Sequence, residues 1–414
     1  MQPQPDMTRF FIVFITGVGI ILYICKRINN KGNTTMKKLI ILLAAAMVIG
    51  CNANNKPGAK QKKQGGTCNY DIYVLGQAED TISEGNGGMY AYGVCWKNGA
   101  LLADGSAGTP PGYDHFSPND IVAAKGGPAF LGVAYNDGDA RIEFFMCHGG
   151  KFTRLGDATR LQAAFLVSNG GKPVAVGQVS TSENYNVPKS EGVMWDLDGN
   201  TIRLEMGDFA SLTIHGVTAA NGNIYVCGGG YKDGDYMTST PVVWKNGKLI
   251  TYGPTDAGDA ATGLLATSIA VSGDYIYTAM YWFNDSQGKS EITLWRNGRP
   301  LMGIGNHGAS ANVSSLVVDG DDVYACGSEE RMTDPAKRLV ISVPRIWKNG
   351  KVMKIGRMEE EGHVNSMTVA GGKLYAAGFS GNKAALWTDG ICEPLGKKNC
   401  RCNGSKVIAM PAKN

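Results

Sequence analysis

Short apolar segments separated by turn residues run along most of the chain, and their spacing predicts β-strands. Asn-Gly and Asp-Gly pairs follow many of these segments, and both tolerate the positive φ that a two-residue hairpin requires. The clearest unit contains the turns Asp319-Gly320-Asp321 and Asn349-Gly350. Its four predicted strands cover residues 313–318, 322–326, 344–348 and 351–355. We therefore expect an all-β protein made of small antiparallel sheets.

The tetrapeptide Trp-Lys-Asn-Gly divides the chain into similar units. It occurs intact three times and recurs in looser forms, with starting positions 96, 146, 195, 244, 295, 347 and 387. Successive starts are 40 to 52 residues apart, which is close to the length of a four-stranded propeller blade. Because the Trp recurs once in most units, we expect it to pack between blades. The repeat predicts a seven-bladed β-propeller over residues 68–414.

The two ends of the repeat region predict a closed ring. The first unit begins at Tyr70–Gly76, which aligns with second strands elsewhere, so its own first strand is missing. After the last unit the chain continues to Lys406–Met410, which would be a surplus strand in an open array. We expect this C-terminal strand to complete blade one, which leaves no free sheet edge.

Residues 36–51 have the order of a bacterial export signal. Lys37 and Lys38 precede the apolar run Leu39–Ile49, which is too short to cross a bilayer as a helix and suits the core of a signal peptide. The ending Val48-Ile49-Gly50-Cys51 resembles the bacterial lipobox, and that resemblance implies cleavage before Cys51 and lipidation of its sulfur. The alternative is an ordinary signal peptide. Residues 52–67 are polar and are expected to form a flexible tether.

Residues 1–35 do not fit a single export signal. They contain a second apolar stretch of sixteen residues, Phe10–Cys25, followed by Lys26 and Arg27. We expect Met36 to be the true start and the first 35 residues to be a gene-start error; the alternative is an extra hydrophobic membrane segment.

The Trp-Lys-Asn-Gly repeat resembles that of propeller lipoproteins of the Bacteroidetes type. The resemblance covers about residues 68–414; it implies the fold and says little of function. By resemblance, a lipid anchor at Cys51 implies a location in the cell envelope, at the outer membrane. Asn52 is not the Asp that retains many lipoproteins in an inner membrane, and by resemblance the lack of acids in the tether favours the periplasmic side of the outer membrane over the cell surface.

The charge of the body argues against nucleic acid as a partner. Of the 40 basic and 36 acidic residues, six basic and one acidic lie before residue 52, which leaves 34 and 35. A near-neutral body has no electrostatic attraction for phosphate backbones. We expect a monomer that is bound to the membrane by its lipid and needs no cofactor.

Unequal loops predict one elaborated face. Turns between strands one and two, and between strands three and four, are short and define the short-turn face. Connections between strands two and three, and between blades, are longer and define the long-loop face; examples cover residues 77–92, 179–191, 229–240 and 328–343. Long loops on a rigid scaffold commonly carry function, so we place the candidate binding site on the long-loop face and the adjoining channel mouth.

Aromatic and histidine side chains are the candidate binding residues of this face. Aromatics that follow second strands could stack on sugars or anchor a peptide, and the alternative is packing between blades. Histidines in the segments between blades could converge on a metal, but they lack ligand spacing, so we predict no metal site and expect solvated or capping side chains. The candidates are Tyr135, Tyr231, Tyr281, Trp282, Phe379, His115, His215, His307 and His363.

The cysteines fall into three groups. Cys51 is the lipidation site, and Cys227 and Cys326 occupy positions expected to be small and buried. Cys392, Cys400 and Cys402 lie close together near the ring closure. In an oxidising periplasm we predict a bridge from Cys392 to either Cys400 or Cys402, with a zinc knot as the less favoured alternative.

No catalytic signature is present in the sequence. Gly-x-Ser-x-Gly, His-Glu-x-x-His and phosphate-loop motifs are all missing. The leading hypothesis is therefore a binding module for a glycan or an envelope protein. The alternative is a glycan lyase or hydrolase, in which a Glu and a His or Tyr would be assembled by the fold rather than by a local motif.

Overall fold

The computed structural model describes residues 69–81, 89–102, 108–181, 189–234, 239–251, 261–284, 289–305, 310–334, 336, 339–396 and 401–412. Over these ranges the chain forms seven four-stranded antiparallel sheets and no helix. Consequently, no helix in the described ranges has the length and hydropathy to cross a bilayer. The seven sheets are the blades of a β-propeller, as the repeat predicts.

The blades follow one another along the chain, and the last strand returns to the first blade. Blade one holds β1 (Tyr70–Thr81), β2 (Met89–Lys97) and β3 (Ala100–Leu101); blade two holds β4 (His115–Ala124), β5 (Gly127–Asn136), β6 (Arg141–His148) and β7 (Lys151–Asp157). Blade three holds β8 (Leu161–Asn169), β9 (Lys172–Ser180), β10 (Ser190–Trp195) and β11 (Thr201–Arg203); blade four holds β12 (Ser211–Ala220), β13 (Asn223–Tyr231), β14 (Thr240–Lys245) and β15 (Lys248–Thr251). Blade five holds β16 (Ala261–Ser272), β17 (Tyr275–Asn284), β18 (Lys289–Arg296) and β19 (Arg299–Ile304); blade six holds β20 (Ala311–Asp319), β21 (Asp322–Asp334), β22 (Leu339–Lys348) and β23 (Lys351–Val352). Blade seven holds β24 (Gly362–Ala370), β25 (Lys373–Ser380), β26 (Lys383–Thr388) and β27 (Ile391–Pro394), and β28 (Arg401–Pro411) completes blade one.

The C-terminal strand closes the ring, which confirms the prediction. The strand order in blade one is β28-β1-β2-β3, and β28 pairs antiparallel with β1 from Tyr70 opposite Pro411 to Glu79 opposite Arg401. The strand is longer than the predicted Lys406–Met410, because pairing continues beyond the apolar residues that made it visible in the sequence.

A buried ion pair ties this closing strand to the next two blades. Lys406 Nζ lies 3.0 Å from Asp120 Oδ1, and both side chains are almost fully buried. The other oxygen, Asp120 Oδ2, accepts a hydrogen bond from the Leu166 backbone N–H at 2.6 Å. Lys406 belongs to blade one, Asp120 to blade two and Leu166 to blade three, so one contact network spans three blades at the closure.

Several strand boundaries in blade six differ from the prediction, most of all in β21, β22 and β23. The segment 328–343, predicted as a loop, is instead a long hairpin, since β21 runs to Asp334 and β22 begins at Leu339. The outer part of this hairpin is exposed on both faces, so its sequence does not alternate between apolar and polar residues, and that alternation is what would have predicted strands. The fourth strand, β23, covers only Lys351 and Val352 of the predicted 351–355.

The Trp-Lys-Asn-Gly motif is explained by one repeated turn. The Asn residues have φ between 48° and 51°, and each is followed by a Gly with φ between 74° and 84°, as a type I′ hairpin requires. Each Asn Oδ1 accepts a hydrogen bond of 2.7 to 2.9 Å from a backbone N–H at the start of the second strand. This turn clamp is formed by Asn98 with Ile72, Asn246 with Ile224, Asn297 with Ile276, and Asn349 with Val323.

The Trp residues pack between blades, as predicted. Trp96, Trp244, Trp347 and Trp387 are at most 1% exposed. Trp244 lies in one apolar cluster with Phe165 and Met194 of blade three, and its indole N–H donates to the Glu205 carbonyl at 2.8 Å. The motif therefore serves architecture, which is why it identifies the fold without indicating a ligand.

Candidate functional site

The two faces of the propeller differ in the way the sequence predicts. In blades two to seven, a two-residue turn joins strand one to strand two. The connections from strand two to strand three are longer in most blades, although only residues 381–382 join β25 to β26. Tyr70 begins β1 opposite Pro411 at the end of β28, and both lie at the short-turn face. Asn69, the first described residue, therefore lies on the side of the propeller opposite the long loops.

Every innermost strand contains a β-bulge. These strands pair with a single neighbour and have their other edge on the channel. In six blades an extra residue is inserted at the same level, opposite equivalent positions of the second strand. We call these six residues the bulge collar: Asn119, His215, Thr267, Ser314, Asn365 and Ser405. In blade three the bulge lies between Leu161 and Ala163, nearer the long-loop face.

A glycine of the second strand lies opposite four of the bulges, whereas blade five is bulged with Met280 at the equivalent position. A Cβ on this glycine would lie 1.8 to 2.3 Å from a carbonyl oxygen of the bulged strand, so no larger residue fits. The pairs are Gly132 with Ser117, Gly228 with Thr213, Gly327 with Asn312, and Gly378 with His363. The collar is thus fixed by a backbone arrangement that is common to these blades, while its side chains are free to differ.

Two of the four candidate histidines lie at or near the collar on the innermost strands. His215 is itself a collar residue, and its Nε2 lies 3.0 Å from Thr213 Oγ1. His363 is two residues before collar residue Asn365, and its Nε2 lies 2.6 Å from Ser314 Oγ of the adjacent blade. Desolvation by burial lowers the pKa of each imidazole to about 4. Both rings are therefore neutral hydrogen-bonding groups near pH 7.

The other histidines do not join them. His115 is 65% exposed at the long-loop end of β4, with Nε2 3.4 Å from Asp137 Oδ2. His307 lies outside the described residues. Nowhere in the described ranges do three His, Cys, Asp or Glu side chains come close enough to hold a metal ion.

The candidate aromatics separate into two groups. Tyr135 packs against the apolar cluster between blades two and three, and Tyr281 against the cluster between blades five and six. Burial raises the pKa of the Tyr135 hydroxyl. These two side chains follow the packing alternative. Tyr231, Trp282 and Phe379 lie half-buried at the long-loop ends of second strands.

A Tyr–Glu–Arg cluster lies on the long-loop side of blade two, and no local motif in the sequence predicts it. The Tyr113 hydroxyl donates to Glu143 Oε2. Arg154 donates to the same carboxylate through Nε, at 2.7 Å, and through Nη2. The Arg141 guanidinium lies 4.9 Å from the Tyr113 ring centre. Hydrogen bonds from Arg154 lower the pKa of Glu143 to about 2, while desolvation and the carboxylate raise the pKa of Tyr113. The pair is locked as carboxylate and phenol near neutral pH.

The cysteines near the closure are only partly described. Cys392 lies in β27, the outermost strand of blade seven, where burial raises the pKa of its thiol to about 11. Cys51 and Cys400 lie outside the described residues, as does the side chain of Cys402. The lipidation site and the bridge therefore stay predictions. Cys227 and Cys326 are fully buried, as expected.

Comparisons with known proteins agree with the fold and go no further. No protein-family model and no curated protein sequence matches the chain. The β-propeller domain of the Trilobed protease from Pyrococcus furiosus is similar at 15% identity and a TM-score of 0.42, over 69% of this chain and 84% of that one. Acylaminoacyl peptidase from Pyrococcus horikoshii is similar at 13% identity and a TM-score of 0.46, over 79% of this chain and 50% of that one. The present chain thus spans about half the length of that peptidase.

A third similar structure belongs to a nidogen/laminin complex, at 11% identity and a TM-score of 0.35, over 65% of this chain and 94% of that one. These likenesses concern the fold alone. The blades and the closing strand define the chain as a seven-bladed β-propeller.

Proposed function

We propose that this protein is a lipid-anchored binding module of the cell envelope whose long-loop face takes a glycan or an envelope protein. The main support is the position of the chain ends. Ala412 donates its backbone N–H to the Asn69 carbonyl at 2.8 Å, so both ends of the propeller meet at the short-turn face. A tether over residues 52–67 would approach that face and leave the long-loop face directed away from the membrane.

The hairpin of blade six gives this face a contact surface. Met332 and Val340 are cross-strand partners near its tip, and Leu339 adjoins them. These three apolar side chains are 45% to 54% exposed. Apolar side chains grouped on a projecting element are characteristic of interaction sites on soluble domains.

Lipidation at Cys51 is tested on the full chain in a bacterial host supplied with an alkyne fatty acid. We expect the label to enter the wild-type protein and to be lost from Cys51→Ser, which would stay as an unprocessed precursor. Equal labelling of both proteins would contradict the anchor. Intact mass of the precursor would also decide whether translation begins at Met1 or at Met36.

Binding by the long-loop face is tested with the immobilised full chain against envelope glycans and purified envelope proteins. A ligand should be retained by the wild type and lost from Met332→Ser/Val340→Thr. The control is Val352→Thr, which changes a side chain that is 41% exposed at the opposite end of the same blade. Equal loss from the control and from the hairpin variant would contradict the face assignment.

The enzymatic alternative has one specific observation in its favour, the Tyr113–Glu143 pair. A glycan lyase or hydrolase needs a proton acceptor and a proton donor near the bond that breaks. Here the bidentate contact with Arg154 makes the carboxylate a weak base, which favours a structural role. Product formation from any envelope glycan, abolished in Tyr113→Phe, would establish the alternative; binding without product supports the module.

A further inference from the structure

The motif turn of blade five lacks an ion pair that other motif turns have. In blades one and six the motif Lys forms an ion pair of 2.8 Å with an Asp at the start of the second strand; the pairs are Lys97–Asp71 and Lys348–Asp322. In blade five the equivalent residue of the second strand is Tyr275, which directly precedes the clamped Ile276 N–H. Arg296 therefore has no such partner at this position, and its guanidinium carbon lies 4.9 Å from the centre of the Tyr275 ring.

Blade four also leaves its cations unpaired at the short-turn face. Its equivalent residue is Asn223, whose side chain accepts a hydrogen bond from Asn246 in place of an ion pair with Lys245. The four cations at the motif turns of blades four and five are exposed, and no carboxylate in the described ranges is close enough to form an ion pair with them. They are Lys245, Lys248, Arg296 and Arg299. Asp274 is the one acid in the short turns of these two blades, so their short-turn ends carry net positive charge.

Apolar surface adjoins these cations. An open cleft of about 480 Å³ is lined by Arg296, Asn297, Arg299, Pro300 and Leu301. Tyr275 is 49% exposed beside Arg296, and Ile202 of blade three is 55% exposed beside Gly247 in the blade four turn. Cations and apolar side chains are therefore interspersed along blades three to five. We call this region the basic arc and define it by Ile202, Lys245, Lys248, Tyr275, Arg296 and Arg299.

The position of the basic arc indicates what covers it. The arc lies on the short-turn face, where the Asn69 carbonyl accepts the Ala412 N–H. Residues 52–67, which precede this end in the sequence, contain four lysines and no acid. With a lipid at Cys51, as proposed above, the short-turn face would be the side nearest the bilayer. Cations beside exposed aromatic and aliphatic side chains are characteristic of protein surfaces at the level of lipid headgroups.

We propose that the basic arc docks on the surface of an anionic bilayer and binds the phosphate groups of its phospholipids. Guanidinium groups bind phosphate oxygens through paired hydrogen bonds, so Arg296 and Arg299 hold a headgroup phosphate in the blade five cleft. Tyr275 and Ile202 contact the interfacial region beside that headgroup. Docking in this orientation directs the long-loop face away from the membrane. This inference rests on the proposed lipid anchor and names the surface that the anchor brings to the bilayer.

The test is hydrogen–deuterium exchange of the full chain added to preformed vesicles of phosphatidylcholine alone or of an equal mixture with phosphatidylglycerol. The arc variant is Arg296→Gln/Arg299→Gln, which removes two exposed cations. The matched control is Arg160→Gln/Lys189→Gln, which removes the same charge at the long-loop face, directly before β8 and β10. A third sample adds inorganic phosphate to the chain on phosphatidylcholine vesicles, to separate a lipid phosphate from a free one.

We expect slower exchange in peptides covering 245–248 and 296–301 on the mixed vesicles than on phosphatidylcholine alone. The arc variant should lose this protection at least about tenfold, because each cation at an anionic surface contributes a factor of about five, and the control should keep it. Equal exchange on the two kinds of vesicle, or the same loss in the control, would overturn the docking surface. Full protection by inorganic phosphate, with none added by phosphatidylglycerol, would overturn the bilayer as the source of the phosphate.

Failure of this inference is distinct from failure of the proposed function. If phosphatidylglycerol changes no exchange, but Cys51→Ser loses the fatty acid and Met332→Ser/Val340→Thr loses its ligand, the anchored module stands and the docking surface does not. If phosphatidylglycerol instead protects the hairpin of β21 and β22, the long-loop face meets the membrane and both are wrong.

Discussion

The turn clamps at the short-turn face and the bulge collar on the innermost strands both recur around the ring. The turn clamp repeats a side chain, whereas the collar repeats a backbone irregularity. The turn clamp keeps the same side chain, Asn, making the same hydrogen bond in four blades. The collar keeps the same backbone irregularity and varies the side chain among Asn, His, Thr and Ser. Constant chemistry supports the fold. Varied chemistry on a constant backbone shows that the blades share the bulge itself and not its side chain.

The largest expected effect is on the backbone of the collar. In Gly228→Ala the new Cβ would lie 1.8 Å from the Thr213 carbonyl oxygen, so the two paired backbones must move apart and we expect a loss of about 4 to 5 kcal/mol or no folded protein. Gly127→Ala is the matched control, because nothing lies within 4 Å of its Cβ position. Urea unfolding measures both; equal stability of the two variants would contradict the account of the bulge.

The ring closure should be nearly as sensitive. Lys406→Ala leaves the Asp120 carboxylate buried without its cation, and we expect a loss of about 4 kcal/mol in the free energy of unfolding. Lys97→Ala removes a partner of Asp71 in a solvent-exposed pair and should lower the free energy of unfolding far less. Similar unfolding midpoints for the two variants would show that the closing pair contributes little.

The channel histidines should make stability depend on pH. Their pKa is lowered from 6.5 to about 4, so the unfolded chain takes up protons first as the pH falls. The stabilisation is complete above pH 6.5 and is lost towards pH 4, by roughly 3 kcal/mol for each histidine at most. His363→Gln should flatten the slope between pH 6.5 and 4.5, above the range in which Glu143 titrates. If the pH dependence of the free energy of unfolding, measured with urea, is the same in His363→Gln as in the wild type, the His363 imidazole is solvated and the account of its burial is wrong.

Removing the turn clamp of one blade should give the smallest loss of stability among these variants. Asn349→Ala removes the hydrogen bond to the Val323 N–H and places Ala at φ 50°, so we expect a loss of about 1 to 2 kcal/mol. Asn349→Gly tolerates the positive φ and loses only the side-chain hydrogen bond, so its stability should lie between those of Asn349→Ala and the wild type. Thermal unfolding of the three proteins gives the order, and a Gly variant less stable than the Ala variant would contradict it.

Features with a repeat or an apolar pattern could be predicted from the sequence. The Trp-Lys-Asn-Gly spacing gave the blade number, and Tyr70–Gly76 with Lys406–Met410 gave the closure. The bulge collar could not be predicted in this way, because one extra residue in a strand does not alter its composition. A signal existed in the small residue and Gly of the second strands, such as Cys227-Gly228 and Cys326-Gly327, but its cause is a carbonyl on another strand.

The candidate site was harder to predict for the same reason. Tyr135 and Tyr281 lie in the long-loop halves of second strands as Tyr231 does, yet they pack between blades, and position along a strand does not distinguish the two environments. Glu143 and Arg154 meet across β6 and β7, and Tyr113 reaches them from the segment before β4. Partners that come from different strands leave no local motif.

Hydrogen–deuterium exchange of the full chain, with and without the envelope ligand that the immobilised chain retains, compares the two faces most directly. We predict slower exchange in peptides from the hairpin of β21 and β22, and no change in the turns at 97–100 and 348–351. Protection confined to those turns, with the hairpin unchanged, would contradict the account.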